Sequence, residues 1–125
     1  MPDIDYKELK KDLLDPSSYP DKNKAIRLVE THISMVFIGD RYVYKIKKPV
    51  NFGFLDFTTL DKRRYYCKEE IRLNRRLAAD IYIELLPVVF DGKRYAIGME
   101  EDAKVVDFAV KMRRIPEDRL MGGKR

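Results

Sequence analysis

Two lysines on a predicted strand and one glutamate on a predicted helix are the residues of this sequence best suited to chemistry. Lys45 and Lys47 alternate in the segment YVYKIK, and Glu70 lies in the segment CKEEIRLNRRLA. A carboxylate on the apolar side of a helix is costly to bury unless a cation pairs with it. We therefore expect an ion pair between Lys45 and Glu70. Lys47 is the alternative partner because it shares a strand face with Lys45.

The position of Glu70 follows from a helical wheel of residues 59–79, the predicted packed helix. At about 100° per residue, Glu70 is the only carboxylate on the apolar face, whereas Glu69 points to solvent. Arg63 is an exception near the helix start, and Thr58 with Asp61 three residues later predicts the N-terminal cap. The apolar face comprises Leu60, Tyr66, Cys67, Ile71, Leu73, Leu77 and Ala78.

The lysines belong to a predicted β-hairpin, in which Gly39-Asp40 joins residues 35–38 to residues 41–47. A two-residue turn there would pair Val36 with Val43 and Ser34 with Lys45. One face of the hairpin would then carry Ser34, Val36, Val43, Lys45 and Lys47. Further strands are predicted over residues 25–33, 82–90, 94–99 and 105–115, with a short helix over residues 4–14 and an acidic turn over residues 99–104. In the last strand, a shared face is predicted for Val106, Phe108, Val110 and Met112.

The composition is that of a single domain, or of one lobe of a larger one, with an excess of positive charge. The 125 residues have a formal charge of +5 and a pI near 9.3, which allows an anionic partner such as a nucleotide or nucleic acid. No apolar run approaches the roughly 20 residues of a membrane span, so no membrane partner is expected. One cysteine and one histidine are too few for a Cys/His zinc site, and they fit a reducing, cytoplasmic location.

The order of these elements resembles the N-terminal lobe of the aminoglycoside phosphotransferase-like kinases, a protein-kinase-like fold. The likeness is greater to an uncharacterised branch, the bifunctional aminoglycoside phosphotransferase and ATP-binding proteins. It implies an α+β fold: a twisted antiparallel sheet of about five strands, one packed helix and a short N-terminal helix. The domains would be residues 1–20, a lobe over residues 21–117, and residues 118–125 as a tail or the start of a linker to a missing C-lobe. The segments that resemble this family are ETHISMVF, YVYKIKKPVNFGFLDFTTLDKR, EEIRLNRRLA and VKMRRIP.

The resemblance also implies ATP as the ligand. In such kinases the strand lysine binds the α- and β-phosphates and pairs with the helix glutamate, roles that would fall to Lys45 and Glu70. Val43 would cover the adenine ring and Met112 would lie near the hinge. Backbone groups from Arg113 to Ile115 would bind the edge of the base. The turn THIS replaces a glycine-rich loop, so the phosphates would meet the hydroxyls of Thr31 and Ser34 or backbone N–H groups.

The later catalytic segment of that family has no counterpart in this sequence. We therefore expect no catalytic residue and no metal ligand among these residues, with Mg²⁺ bound only when the C-terminal lobe is present. The chain alone would be catalytically silent and would bind ATP weakly. Its exposed cleft surface predicts a homodimer. The phosphoryl acceptor, a small molecule, stays open.

An alternative hypothesis is a basic module that binds nucleic acid or another anionic partner. The outer face of the predicted helix carries cations around Tyr65, an aromatic residue that could stack on a base. We give this hypothesis less weight, because a run of charge is usually a solvated helix face. The cations are Lys62, Lys68, Arg72, Arg75 and Arg76.

Overall fold

The computed structural model describes residues 4–98 and 103–115 of the chain. Within these ranges the fold is α+β, with two α-helices, one short 3-10 helix and six strands. The strands form one antiparallel sheet in the order β1-β2-β3-β6-β4-β5. The α+β class is confirmed, and the sheet has six strands rather than about five. The elements are α1 (Tyr6–Leu13), the 3-10 helix (Pro16–Ser18), β1 (Arg27–Glu30), β2 (Ser34–Ile38), β3 (Tyr42–Lys47), α2 (Leu60–Ala78), β4 (Tyr82–Phe90), β5 (Tyr95–Ile97) and β6 (Lys104–Arg113).

Apolar side chains on the two faces of the sheet build two clusters. The larger cluster packs Leu9 and Leu13 of α1 against alternate residues of β2 and β3. The smaller cluster packs Cys67 and Ile71 of α2 against Val110 of β6. Because neighbouring residues of a strand point to opposite faces, α1 and α2 cover opposite sides of the sheet. The strand residues of the larger cluster include Met35, Phe37, Tyr44, Ile46 and Ala109.

The hairpin turn lies one residue later than predicted. The Gly39 N–H donates to the Tyr42 carbonyl at 2.9 Å, so the two central residues of the turn are Asp40 and Arg41. Val36 consequently faces Lys45 rather than Val43, and Ser34 faces Lys47 rather than Lys45. The displacement is two residues along the partner strand, an even number, so the predicted face is unchanged.

A bulge in β6 overturns the predicted shared face of that strand. Val88 pairs with Asp107 while the next residue, Val89, pairs with Val105, which leaves Val106 as an extra residue. Val106 joins the cluster of α1, whereas Phe108 packs in the cluster of α2. The prediction that Val106 shares a face with Phe108, Val110 and Met112 is therefore wrong for Val106.

The N-terminal cap of α2 is Thr59, not Thr58. The Thr59 Oγ1 accepts the Lys62 N–H at 3.2 Å, whereas Thr58 donates its N–H and hydroxyl to Asp56. At the other end, Leu73 and Leu77 are 49% and 90% exposed, although the wheel places them on the apolar face. Nothing among the described residues covers them, because the buried stripe of α2 runs through Arg63, Cys67 and Ile71.

No helix in the described part of the chain is long and apolar enough to cross a membrane. The predicted tail over residues 118–125 and most of the predicted acidic turn over residues 99–104 lie outside the described residues.

Candidate functional site

Glu70 is paired with both lysines of β3. Its Oε2 lies 3.2 Å from the Lys45 Nζ, and its Oε1 lies 2.9 Å from the Lys47 Nζ. The sequence left open which lysine is the partner, and the structure gives each lysine one carboxylate oxygen. This is possible because Lys45 and Lys47 are two residues apart on β3 and so point from the same face toward α2.

The neighbouring carboxylate points the other way. Glu69 forms two hydrogen bonds with the Arg72 guanidinium, at 3.1 and 2.8 Å, on the exposed side of α2. Glu70 faces the sheet, and its backbone carbonyl accepts the Asn74 side-chain amide at 2.8 Å. The helical wheel therefore oriented this pair of glutamates correctly.

The two lysines differ in their surroundings. The side chain of Lys47 is 7% exposed, and its Nζ lies 5.2 Å from the centre of the buried Phe57 ring. The side chain of Lys45 is 28% exposed and lines an open groove. Burial disfavours the charged form of Glu70, but Lys47 first and Lys45 second outweigh it and hold the pKa of this carboxyl below its usual range.

The groove beside Lys45 continues into an apolar pocket near the end of β6. The part next to Lys45 has a volume of 600 Å³ and the pocket a volume of 370 Å³, and Tyr82 and Met112 line both. The walls of both parts are mostly apolar, and the Lys45 ammonium lies beside one of them. The Lys45 part is also lined by Thr31, His32, Ile33, Ser34 and Val36. The apolar pocket is also lined by Arg27, Ile38, Val43, Ile81, Arg113, Arg114 and Ile115.

The structure places the predicted base-binding residues together. Val43 and Met112 are paired across β3 and β6, and both line the apolar pocket with Ile115. The N–H of Arg113 already donates to the Ile81 carbonyl at 2.7 Å. The N–H of Arg114 donates to the Arg41 carbonyl at 2.8 Å. Two of the backbone donors expected to face a base are therefore engaged within the fold.

The hydroxyl of Thr31 is engaged within the β1–β2 turn. The Thr31 Oγ1 accepts the N–H groups of Ile33 and Ser34, at 3.3 and 3.0 Å, and so closes the turn. The Ser34 side chain is buried, and its Oγ finds no hydrogen-bond partner among the described residues. Either hydroxyl would have to rearrange before it could meet a phosphate.

Tyr82 is a groove residue that the sequence did not reveal, and Arg27, Ile38 and Ile81 of the apolar pocket are others. It begins β4 and lies at the junction of the two parts of the groove. The sequence predicted its segment, YIELLPVVF, as a strand, but which of its residues face α2 depends on how that strand pairs with β6. Tyr82 pairs with Met112 in that register.

The chain is similar over 54 residues to two mycobacterial proteins, both described as uncharacterized. These are Rv2004c of Mycobacterium tuberculosis and Mb2027c of Mycobacterium bovis, each 43% identical to this chain over the matched segment. The match covers 43% of this chain and 11% of each relative. The matched segment therefore corresponds to a small part of much longer proteins. No family model matches the chain, and no solved structure matches it.

Proposed function

We propose that this chain binds ATP along the groove and forms the nucleotide-binding wall of a small-molecule phosphotransferase. The observation that supports this most is the position of Lys45. Its ammonium lies 3.2 Å from the Glu70 Oε2, beside a groove that continues into an apolar pocket. The apolar pocket suits the flat base of a nucleoside triphosphate, and the Lys45 ammonium suits its negatively charged phosphates.

The base would occupy the apolar pocket. Val43 and Met112 would contact its ring, and Ile115 would supply the remaining backbone contact because the N–H groups of Arg113 and Arg114 are engaged. Tyr82, at the junction, would lie beside the sugar. An apolar slot with a few polar groups is the usual form of a small-molecule site.

The phosphates would lie along Lys45. Because Glu70 keeps the Lys45 ammonium beside the groove, only a small movement of this side chain would bring its charge to a phosphate. Lys45 keeps enough exposure to reach a ligand, whereas the Ser34 hydroxyl is buried and Thr31 closes its turn. The hydroxyls of Thr31 and Ser34 are thus secondary to Lys45 in this proposal.

The function assigned to these residues is binding and orientation. Among the described residues, no group of three His, Cys, Asp or Glu side chains could hold a metal ion. In the proposal, Mg²⁺ and the catalytic base belong to a second lobe that would close over the groove, and the phosphoryl acceptor would bind there.

The basic outer face of α2 is a weaker anion site. Arg72 is held by Glu69, and the Arg75 guanidinium donates to the carbonyls of Tyr82 and Ile83. These bonds engage the guanidinium groups of Arg72 and Arg75, which a nucleic acid would otherwise contact. Lys68 is an exposed lysine on this outer face and does not line the groove, so it is a matched control for Lys45.

ATP titration by amide NMR and by calorimetry tests the proposal. We expect shifts at Val43, Lys45 and Met112, and a loss of affinity of about ten- to hundredfold in Lys45→Met. Lys68→Met removes the same charge from the outer face and should change the affinity by less than about twofold. Shifts confined to the outer face of α2, with affinity lost in Lys68→Met instead, would overturn the proposal.

A further inference from the structure

We infer that Lys47 is a positioning residue that keeps Glu70 paired, so that Lys45 is free to turn toward a bound phosphate. The inference rests on the proposed function, since it assumes that Lys45 meets an anion. Lys47 itself would not touch the ligand. It is absent from the lining of the groove and of the apolar pocket, whereas Lys45 lines the groove.

The first support is the asymmetry of the two ion pairs. Lys47 makes the shorter contact with Glu70, 2.9 Å against 3.2 Å for Lys45, and its side chain is the more buried. The ring of Phe57 lies 5.2 Å from the Lys47 Nζ, within the range of a cation–π contact. Lys45, at the groove, is the partner with room to move.

The second support is that the surroundings of Lys47 are anchored. The Phe57 carbonyl accepts the Arg63 guanidinium at 2.9 Å, and the Phe57 N–H donates to the Val50 carbonyl at 2.8 Å. Arg63 is in turn paired with the buried Asp107 at 3.0 Å. Lys47 therefore lies between a fixed ring and a helix that is fastened to the sheet.

The energetic reason is the cost of an unpaired buried carboxylate. If Lys45 were the sole partner of Glu70, movement of its ammonium toward a phosphate would leave the largely buried Glu70 carboxylate unpaired. With Lys47 on the other oxygen, Glu70 stays paired when Lys45 leaves. Without Lys47, all of the attraction of Glu70 would fall on Lys45 and hold it away from the ligand.

The cluster also keeps a net positive charge for the anion. Cys67 and Tyr82 are titratable groups whose pKa values respond to the charges of this cluster. Burial raises the pKa of the Cys67 thiol to about 12, and burial also raises the pKa of the Tyr82 hydroxyl. Both are therefore neutral near pH 7, and one carboxylate stands against two ammonium groups.

A double-mutant cycle on ATP affinity tests the inference, with inorganic tripolyphosphate as a probe of the phosphate end alone. We expect Lys47→Met to weaken both ligands by about three- to tenfold, although Lys47 does not line the groove. In a Lys45→Met background the same change should have almost no effect. Lys47→Arg should restore most of the affinity, because a guanidinium can still pair with Glu70. An equal loss in both backgrounds would overturn the inference.

A second measurement does not depend on nucleotide binding. The side-chain carboxyl of Glu70 can be titrated by ¹³C NMR in the wild type, Lys45→Met and Lys47→Met. We expect its pKa to rise more in Lys47→Met than in Lys45→Met. The opposite order, or equal rises, would refute Lys47 as the main partner of Glu70. A wild type that binds neither ATP nor tripolyphosphate would instead defeat the proposed function, and this titration would still decide the role of Lys47.

Folding is controlled with a paired substitution. If Lys47→Met alone does not fold, Lys47→Met with Glu70→Gln removes both buried charges and leaves no carboxylate unpaired. With Glu70 neutral, Lys45 has nothing to hold it back. We therefore expect this double variant to bind tripolyphosphate within about twofold of Glu70→Gln alone. A larger loss would mean that Lys47 acts on the ligand directly.

Discussion

Arg63 of α2 and Asp107 of β6 form an ion pair inside the protein, with the Arg63 Nε 3.0 Å from the Asp107 Oδ1. Asp107 is fully buried and Arg63 is almost fully buried. Burial raises the pKa of the Asp107 carboxyl, while Arg63 and the Phe108 N–H oppose that rise. The pair fastens the first turn of α2 to the sheet, so it determines where Glu70 lies further along the same helix.

Removing one partner of this pair should be severe. Arg63→Met leaves the Asp107 carboxylate buried without its cation, and we expect the free energy of unfolding to fall by about 3–5 kcal/mol. Arg76→Met is the matched control, because Arg76 is exposed on the same helix and should cost less than about 0.5 kcal/mol. Urea unfolding followed by circular dichroism measures both. Similar costs for the two variants would mean that the buried pair contributes little.

The corrected cap of α2 gives a second test. Thr59→Ala removes the side-chain oxygen that accepts the Lys62 N–H, and we expect a loss of about 1 kcal/mol in the free energy of unfolding. Thr58→Ala is the control, because the Thr58 hydroxyl donates to the Asp56 carboxylate and caps no helical N–H group. If Thr58→Ala proves the costlier change in the same unfolding experiment, the cap belongs to Thr58 after all.

Local periodicity was enough to predict most of the helices and strands, and which faces of β3 and α2 carry Lys45, Lys47 and Glu70. Alternation along YVYKIK placed Lys45 and Lys47 on one face, and that result survived the error in the turn because the shift was an even number of residues. The period of the helix likewise predicted that Glu70 faces the sheet and Glu69 faces solvent. These features depend on residues within a few positions of one another.

What the sequence missed depends on distant partners. The hairpin turn is fixed from another segment, since the Asp40 N–H donates to Asn23 at 2.7 Å and the Asp40 carboxylate accepts the Lys24 N–H. Arg63 is buried against Asp107, which lies 44 positions away in the sequence, so no local pattern could predict its burial. A single aspartate within the apolar strand VVDFAV was a usable signal, because a buried acid needs a cation.

Cys67 should be inert in the native protein. Its side chain is fully buried and burial raises the pKa of the thiol to about 12, so almost no thiolate is present at pH 8. We expect a thiol reagent at pH 8 to label Cys67 only as fast as the protein unfolds, and at once in 6 M guanidinium chloride. Arg63→Met should speed the labelling, because it loosens the helix that covers Cys67. Rapid stoichiometric labelling of the native wild type would show that α2 opens far more readily than its packing suggests.

Acid should weaken the contribution of Glu70 to stability. Lys47 and Lys45, against the opposing effect of burial, hold the folded-state pKa of Glu70 below its usual value of about 4.3. The unfolded state therefore takes up this proton first as the pH falls, so the contribution is complete above the unfolded-state pKa of about 4.3 and is lost progressively as the pH falls through the lower, folded-state pKa. Glu70→Gln cannot titrate, and we expect its deficit in unfolding free energy to shrink between pH 6 and pH 3. Urea unfolding across that range measures the deficit.

Glu69→Gln is the control that separates a buried pair from an exposed one. Its hydrogen bonds to Arg72 also lower the pKa of Glu69, but the pair is on the solvent side of α2. Added salt screens exposed charges more than buried ones, so 0.5 M NaCl should nearly abolish the deficit of Glu69→Gln at pH 6. The deficit of Glu70→Gln should largely persist in the same buffer, because Lys47 and Glu70 are shielded from the ions. A Glu70 deficit that disappears with salt, or that does not change with pH, would mean that solvent enters this cluster and that the lysines are not held for a ligand.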